Sequence, residues 1–179
     1  MKIEHKEDIS SNFEGTIIDI ETIGEFLNQY PDSRRYKDIQ LVIFGFINRY
    51  TLHILCAEGI EAINELRERA AMIIDSLERP FYAFNADFER GVLFYELGKK
   101  ISFDGELQED RESKANARSY LGIPNYDDPF YDNGYLCMKA WENGEFGRAI
   151  EHNRACLLKE RDILLKRGFR KPEELKFVR

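Results

Sequence analysis

Three stretches rich in β-branched and aromatic residues, 16–22, 39–47 and 50–56, come before any helical periodicity, and this succession limits the fold more than any other feature. Each has the length and composition of a strand. The second and third meet at Asn48-Arg49 with no room for a crossover, so they are read as a hairpin with a tight turn. Between the first strand and the hairpin, residues 23–38 carry Gly24, Pro31 and many charges, and are expected to form a loop with a short helix at 25–30. From 57 to 77 the period changes. Ile60, Ile63, Leu66, Ala70, Ile73, Ile74 and Leu77 recur at helical spacing. Pro80 ends that helix, and Phe81-Tyr82-Ala83-Phe84 reads as a short buried strand. Residues 87–97 give a second helix stopped at Gly98, and 101–104 a further short strand. Residues 105–133 are expected to be mainly irregular, and 134–141 and 145–166 to be helices. The order predicts an α/β fold, a central mixed sheet flanked by helices, in a single domain over 1–179 with its core at about 14–168.

A chain of 179 residues with 43% hydrophobic content buries roughly 70% of the surface exposed when unfolded, so it needs no structural metal or disulfide. Cys56, Cys137 and Cys156 are odd in number and lack CxxC spacing, which points to reduced thiols and a cytoplasmic setting. The first fifteen residues hold no apolar core of signal-peptide length, and the longest apolar stretch, 39–47, is too short to cross a bilayer, so no membrane partner is expected. The net charge of −7 speaks against non-specific nucleic-acid binding. Residues 154–179 nevertheless hold nine basic and four acidic residues, read either as a guide for a polyanion or as a solvated helix face.

Asp19 and Glu21 are two apart on the first strand, so both carboxylates share a face. Their isoleucine neighbours mark an inner strand, where unpaired acids are costly without a cation. A wet polar strand face is the competing reading. Asp87 and Glu89 lie in the first turn of a helix, where the dipole favours acids whatever their function.

The run Ile18-Asp19-Ile20-Glu21-Thr22 resembles the first motif, D-x-E-T, of the DEDD superfamily of 3′ to 5′ exonucleases. The run Phe84-Asn85-Ala86-Asp87-Phe88-Glu89 resembles the second, with Glu89 where the family usually has Asp. On the last long helix, His152-Asn153-Arg154-Ala155-Cys156 resembles the Y/H-N-x-x-D pattern of the YprB-like branch, with Cys156 at the fourth-ligand position. The resemblance covers about 14–168 and implies a ribonuclease-H-like three-layer fold and a two-metal site for Mg²⁺ or Mn²⁺, the ions about 4 Å apart. It implies that Asp19, Glu21 and Glu89 hold the metals, with Cys156 or Glu160 the candidates for the remaining ligand, and that His152 positions or deprotonates the attacking water. It sets Thr22, Asn85 and Asn153 against the substrate. The expected function is a metal-dependent 3′ to 5′ exonuclease acting on single-stranded DNA or RNA. A catalytically impaired module that binds nucleic acid or a protein partner through the same cleft is the alternative, kept open by a thiol where Mg²⁺ demands a hard oxygen. Tyr120, Tyr126, Phe130, Tyr131, Tyr135 and Trp141 precede the third motif and are read as core packing and loop anchors, with base stacking as a second use.

Overall fold

The computed structural model describes residues 2–179, with strands β1 (Lys2–Asp8), β2 (Thr16–Ile23), β3 (Gln40–Ile47), β4 (Thr51–Ala57), β5 (Phe81–Ala83) and β6 (Gly105–Glu106). They form one mixed sheet in the order β1-β4-β3-β2-β5-β6. The pairs β1–β4, β4–β3 and β3–β2 are antiparallel, whereas β2–β5 and β5–β6 are parallel. Helices α1 (Ile63–Ser76) and α2 (Ala86–Leu97) pack together against the sheet, as do α4 (Gly134–Glu142) and α5 (Phe146–Arg167). The result is a three-layer α/β fold. Ile17, Ile18 and Ile20 of β2 and Leu41 to Phe44 of β3 are buried whichever way they point, because both strands are covered on two faces. Among the described residues no helix is long and apolar enough to cross a membrane.

The structure departs from the sequence reading in several places. Strand β1 was not expected, since its sequence Lys-Ile-Glu-His-Lys-Glu-Asp carries almost no apolar signal. As an edge strand it is held by backbone pairing to β4 and by ion pairs such as His53 Nε2 with Glu4 Oε1 at 2.6 Å. The short helix expected at 25–30 does not form. A 3₁₀ turn at Ser33–Tyr36 takes its place, with the Asp32 carboxylate accepting from the Arg34 N–H at 3.0 Å. Residues 101–104 are not a strand: the Asp104 carboxylate bonds the Phe81 N–H at 2.8 Å and pairs with Arg79, and β6 begins one residue later. The first helix starts at Ile63 rather than 57, because Ala57 still pairs with Lys2 in the sheet. Within the segment expected to be irregular lies α3 (Lys114–Leu121). Ser113 caps it, its Oγ accepting from the Asn116 N–H at 3.1 Å, and Gly122 ends it with φ +67°, a conformation that other residues adopt only with strain.

Beyond α5 the chain runs back across the molecule. Arg170 bridges to Glu106, Phe177 packs 4.9 Å from Phe94, and the Val178 N–H donates to Ser33 Oγ at 2.8 Å.

Candidate metal centre

Asp19 and Glu21 leave β2 on the side facing α5, as period-two alternation requires. Asp19 sits opposite Gly45 in the register of β2 and β3. Gly45 has no side chain to hold α5 away: a Cβ there would stand 2.1 Å from Asn153 Oδ1. Asn153 fits into that gap, and its Nδ2 donates to the Asp19 carbonyl at 3.2 Å, to Asp19 Oδ2 at 2.8 Å and to Glu21 Oε1 at 3.4 Å. One amide thus orients both acids.

Glu89 comes from the first turn of α2, where Asn85 is the capping residue. Only 3% exposed, it carries an Oε2 with no hydrogen-bond partner. Glu160 lies on α5, two turns beyond His152 and one beyond Cys156, so the three share a face. Its Oε1 accepts from the Phe84 N–H at 3.1 Å, while Oε2 has no hydrogen bond. Burial raises the carboxyls of Glu89 and Glu160 well above the usual range, and the charge of Asp19 adds to this. Burial and the same neighbour raise Glu21 to about 7.

The cation at this site is Lys114, the first residue of α3. Its Nζ lies 3.3 Å from Asp19 Oδ1, 3.7 Å from Glu160 Oε2 and 5.5 Å from the centre of the Phe84 ring. Burial works against its charge, but the acids around it, Asp19 first, more than offset this and hold the ammonium well above its usual pKa.

His152 is buried, with Nδ1 2.8 Å from Asp128 Oδ1 and Nε2 3.6 Å from both Glu21 Oε1 and Cys156 Sγ. Burial opposes its protonation, yet Cys156, Glu21 and Asp128 together push it up to about 12. Asp128 is in turn the hub of the 122–133 loop. It accepts from the Phe130 N–H at 2.9 Å, from the Asp132 N–H at 2.8 Å and from Lys159 Nζ at 2.9 Å. Lys159 is fully buried and also reaches Asp132 Oδ1 at 2.6 Å and Asn125 Oδ1 at 3.2 Å, and Arg118 Nε meets Asp132 Oδ2 at 3.0 Å. Despite burial, His152 and Lys159 hold the Asp128 carboxyl well below its ordinary range.

A cleft of about 710 Å³ opens over these groups. Asp19, Glu21, Glu89, His152 and Cys156 line it, with Lys114, Thr22 and Asn85. Glu160 is fully buried behind them. Asn153, expected against the substrate, is also fully buried, beneath the acids it orients. Phe26 and Phe88, whose rings contact each other, and Tyr135 line the cleft, whereas Phe130 packs on His152 and Trp141 donates from Nε1 to the Ala57 carbonyl at 2.8 Å. Tyr120 and Tyr131 stand exposed, and Tyr126 bonds Asp162. Lys114, Asp128 and Lys159 were not singled out by the sequence reading. Their one signal was the length of the segment 105–133, which holds the first two.

The basic residues of 154–179 do not form a free tail. Arg154 pairs with Glu7, Lys159 with Asp128 and Asp132, Arg161 with Asp162, Arg167 with Glu112, and Arg170 with Glu106. Four of the nine, Arg154, Lys159, Arg167 and Arg170, are paired with acids of the preceding part of the chain. All three cysteines are free and buried.

No family model, no curated protein and no solved structure matches this chain.

Proposed function

We propose that this chain is a divalent-metal-dependent nuclease of ribonuclease-H-like type, a 3′ to 5′ exonuclease acting on single-stranded DNA or RNA. One observation carries the reading. Three carboxylates, Asp19, Glu21 and Glu89, line one cleft with Glu160 buried behind them, and Glu89 Oε2 and Glu160 Oε2 are buried without a hydrogen bond. Glu160 Oε2 is met only by the ammonium of Lys114 at 3.7 Å and Glu89 Oε2 by no partner, and an unpartnered buried oxygen costs on the order of 1–3 kcal/mol that a proton or a bound cation relieves. Hard oxygen donors of this kind suit Mg²⁺ or Mn²⁺. Divalent cations bound here supply an activated water and positive charge facing the leaving oxygen of a phosphodiester. Asp19 would be the acid best placed to serve more than one ion, because its charge acts on Glu21, Glu89 and Glu160 alike. Asn153 fixes its direction, and the Asp128-held ring of His152 orients water at the cleft floor. Phe26, Phe88 and Tyr135 offer faces on which unpaired bases stack.

A second reading has its own support. Lys114 already places a positive charge among the acids, and Cys156 offers a thiol where a carboxylate would serve, so an impaired nucleic-acid binder fits the same cleft. An end-labelled single strand, DNA or RNA, incubated with the protein in Mn²⁺, Mg²⁺ or chelator separates the two. Stepwise shortening from the 3′ end, abolished by chelator, is the expected result. Retention of the strand in all conditions with no shortening establishes the binder.

Lys114→Met gives a companion prediction. An ammonium about 4 Å from a carboxylate contributes about 4 kcal/mol at an effective dielectric of 20, so its removal should raise Mn²⁺ affinity at least tenfold in calorimetry. Unchanged affinity would mean that the ammonium leaves the acids without cost when the cation binds.

A further inference from the structure

The two ends of the metal centre differ in chemical hardness. Asp19, Glu89 and Glu160 offer only oxygens, and the ammonium of Lys114 pairs with Asp19 and Glu160. At the other end, Glu21, His152 and Cys156 offer one oxygen, one imidazole nitrogen and one sulfur, all within 4.8 Å of one another. We propose that these three residues form, at one end of the same cleft, a site for a single borderline-soft divalent ion of the zinc class, which would take Glu21 and His152 as ligands in place of the roles given above. The proposal rests on the reading of the cleft as a cation site, but not on nucleic-acid hydrolysis.

Distance supports it first. Tetrahedral zinc with ligands at about 2.0–2.3 Å has ligand-to-ligand edges of about 3.3–3.7 Å. His152 Nε2 stands 3.6 Å from Glu21 Oε1 and 3.6 Å from Cys156 Sγ, so two of the three edges have that length. At 3.6 Å the contact with Glu21 is too long for an ordinary N–H···O hydrogen bond, so the one hydrogen bond Nε2 makes is to the sulfur of Cys156.

The support behind the ligands agrees. Metal-ligating histidines donate their second ring nitrogen to a carboxylate or carbonyl, which fixes the ring and strengthens the ligand. His152 does this through Nδ1 to Asp128 Oδ1 at 2.8 Å, and Phe130 packs against its face. Asp128 is held by two backbone N–H groups and by Lys159, so it cannot follow a moving ring. His152 and Cys156 are one turn apart on α5, a rigid element, and Glu21 is fixed on β2 by Asn153.

The donor set then decides which ion. Three ligands of O, N and S character with a fourth position open to the cleft describe zinc in its catalytic arrangement, and a thiolate selects against Mg²⁺. Coordination displaces the protons on Cys156 Sγ and His152 Nε2 to solvent, and no electrons change hands.

The test uses cobalt as a spectroscopic stand-in. Metal-free protein titrated with Co²⁺ should develop a near-ultraviolet thiolate-to-cobalt charge-transfer band and the intense visible bands of a four-coordinate ion. One equivalent of Zn²⁺ should bleach both, and a large excess of Mg²⁺ should not. Cys156→Ser should lose the charge-transfer band while keeping its circular dichroism. Absence of that band in the natural protein overturns the proposal, as does its persistence in Cys156→Ser, which would assign it to Cys56 or Cys137. If the variant does not fold, a Cys56→Ser, Cys137→Ser double variant that keeps Cys156 alone decides: it should retain the band, and loss of the band there overturns the proposal. Cleavage assays run in parallel keep the two readings apart. A cobalt–thiolate band without cleavage in any cation sinks the nuclease and leaves this site standing, and Mn²⁺-dependent cleavage without the band does the reverse.

Discussion

Asp19→Asn is expected to reduce divalent-metal-dependent cleavage of a single strand to the level of the metal-free control. The substitution changes almost no volume, and the new side chain can still accept from Asn153 through its amide oxygen. What disappears is the charge that acts on Glu21, Glu89 and Glu160 alike, so a cation loses the acid best placed to be shared. The fold should survive. Asp19 loses its ion pair with Lys114, but the remaining acids lose a repelling neighbour. A midpoint of thermal unfolding within about 3 °C of the parent is expected, since about 1 kcal/mol moves a domain of this size by roughly 2–4 °C. Undiminished cleavage would remove the centre from the mechanism.

Lys159→Met is expected to be the most destabilising of the substitutions considered, by about 3 kcal/mol or more, read as a fall in midpoint of roughly 6–12 °C. Lys159 is fully buried, with its ammonium between Asp128 and Asp132. Methionine fills the same channel and leaves those carboxylates without their common cation. His152 and Arg118 retain one acid each, which sets the loss at the lower end of the range for a broken buried pair. Combining the change with Asp132→Asn should recover part of the loss, because Asp128 and Asp132 then no longer repel each other without a shared cation, less what the Arg118 pair contributed. A full loss in the double variant would show that packing, not charge, dominates at this position. Since Asp128 also orients His152, Lys159→Met should weaken zinc-class binding as well as stability.

The elements that could be read from the sequence are those whose own residues decide them. Isoleucines in β2 and the apolar run of β3 meet the burial of two covered faces, and the period of α5 is carried by its own side chains. Asp19 and Glu21 could be placed together because strand alternation is local. Strand β1 could not, because its stability comes from the backbone of β4 and from charges distant in sequence. Lys114 and Asp128 escaped for the same reason: a lysine at a helix start and an aspartate in a loop have no pattern of their own. Their roles exist only once α3 and the 122–133 loop fold against α5. The basic run at 154–179 was legible as charge but not as pairing, since its partners Glu7, Glu106 and Glu112 lie far back in the chain.

The bare backbone at Gly45 also constrains how this chain can diverge. Any side chain at 45 meets Asn153 Oδ1, so the two positions do not vary independently. A lineage abandoning the chemistry of the cleft must first exchange Asn153 for something smaller, and only then does position 45 become free to accept alanine. The reverse order passes through an intermediate in which the Asn153 amide, and with it the hydrogen bonds that orient Asp19 and Glu21, must shift to make room.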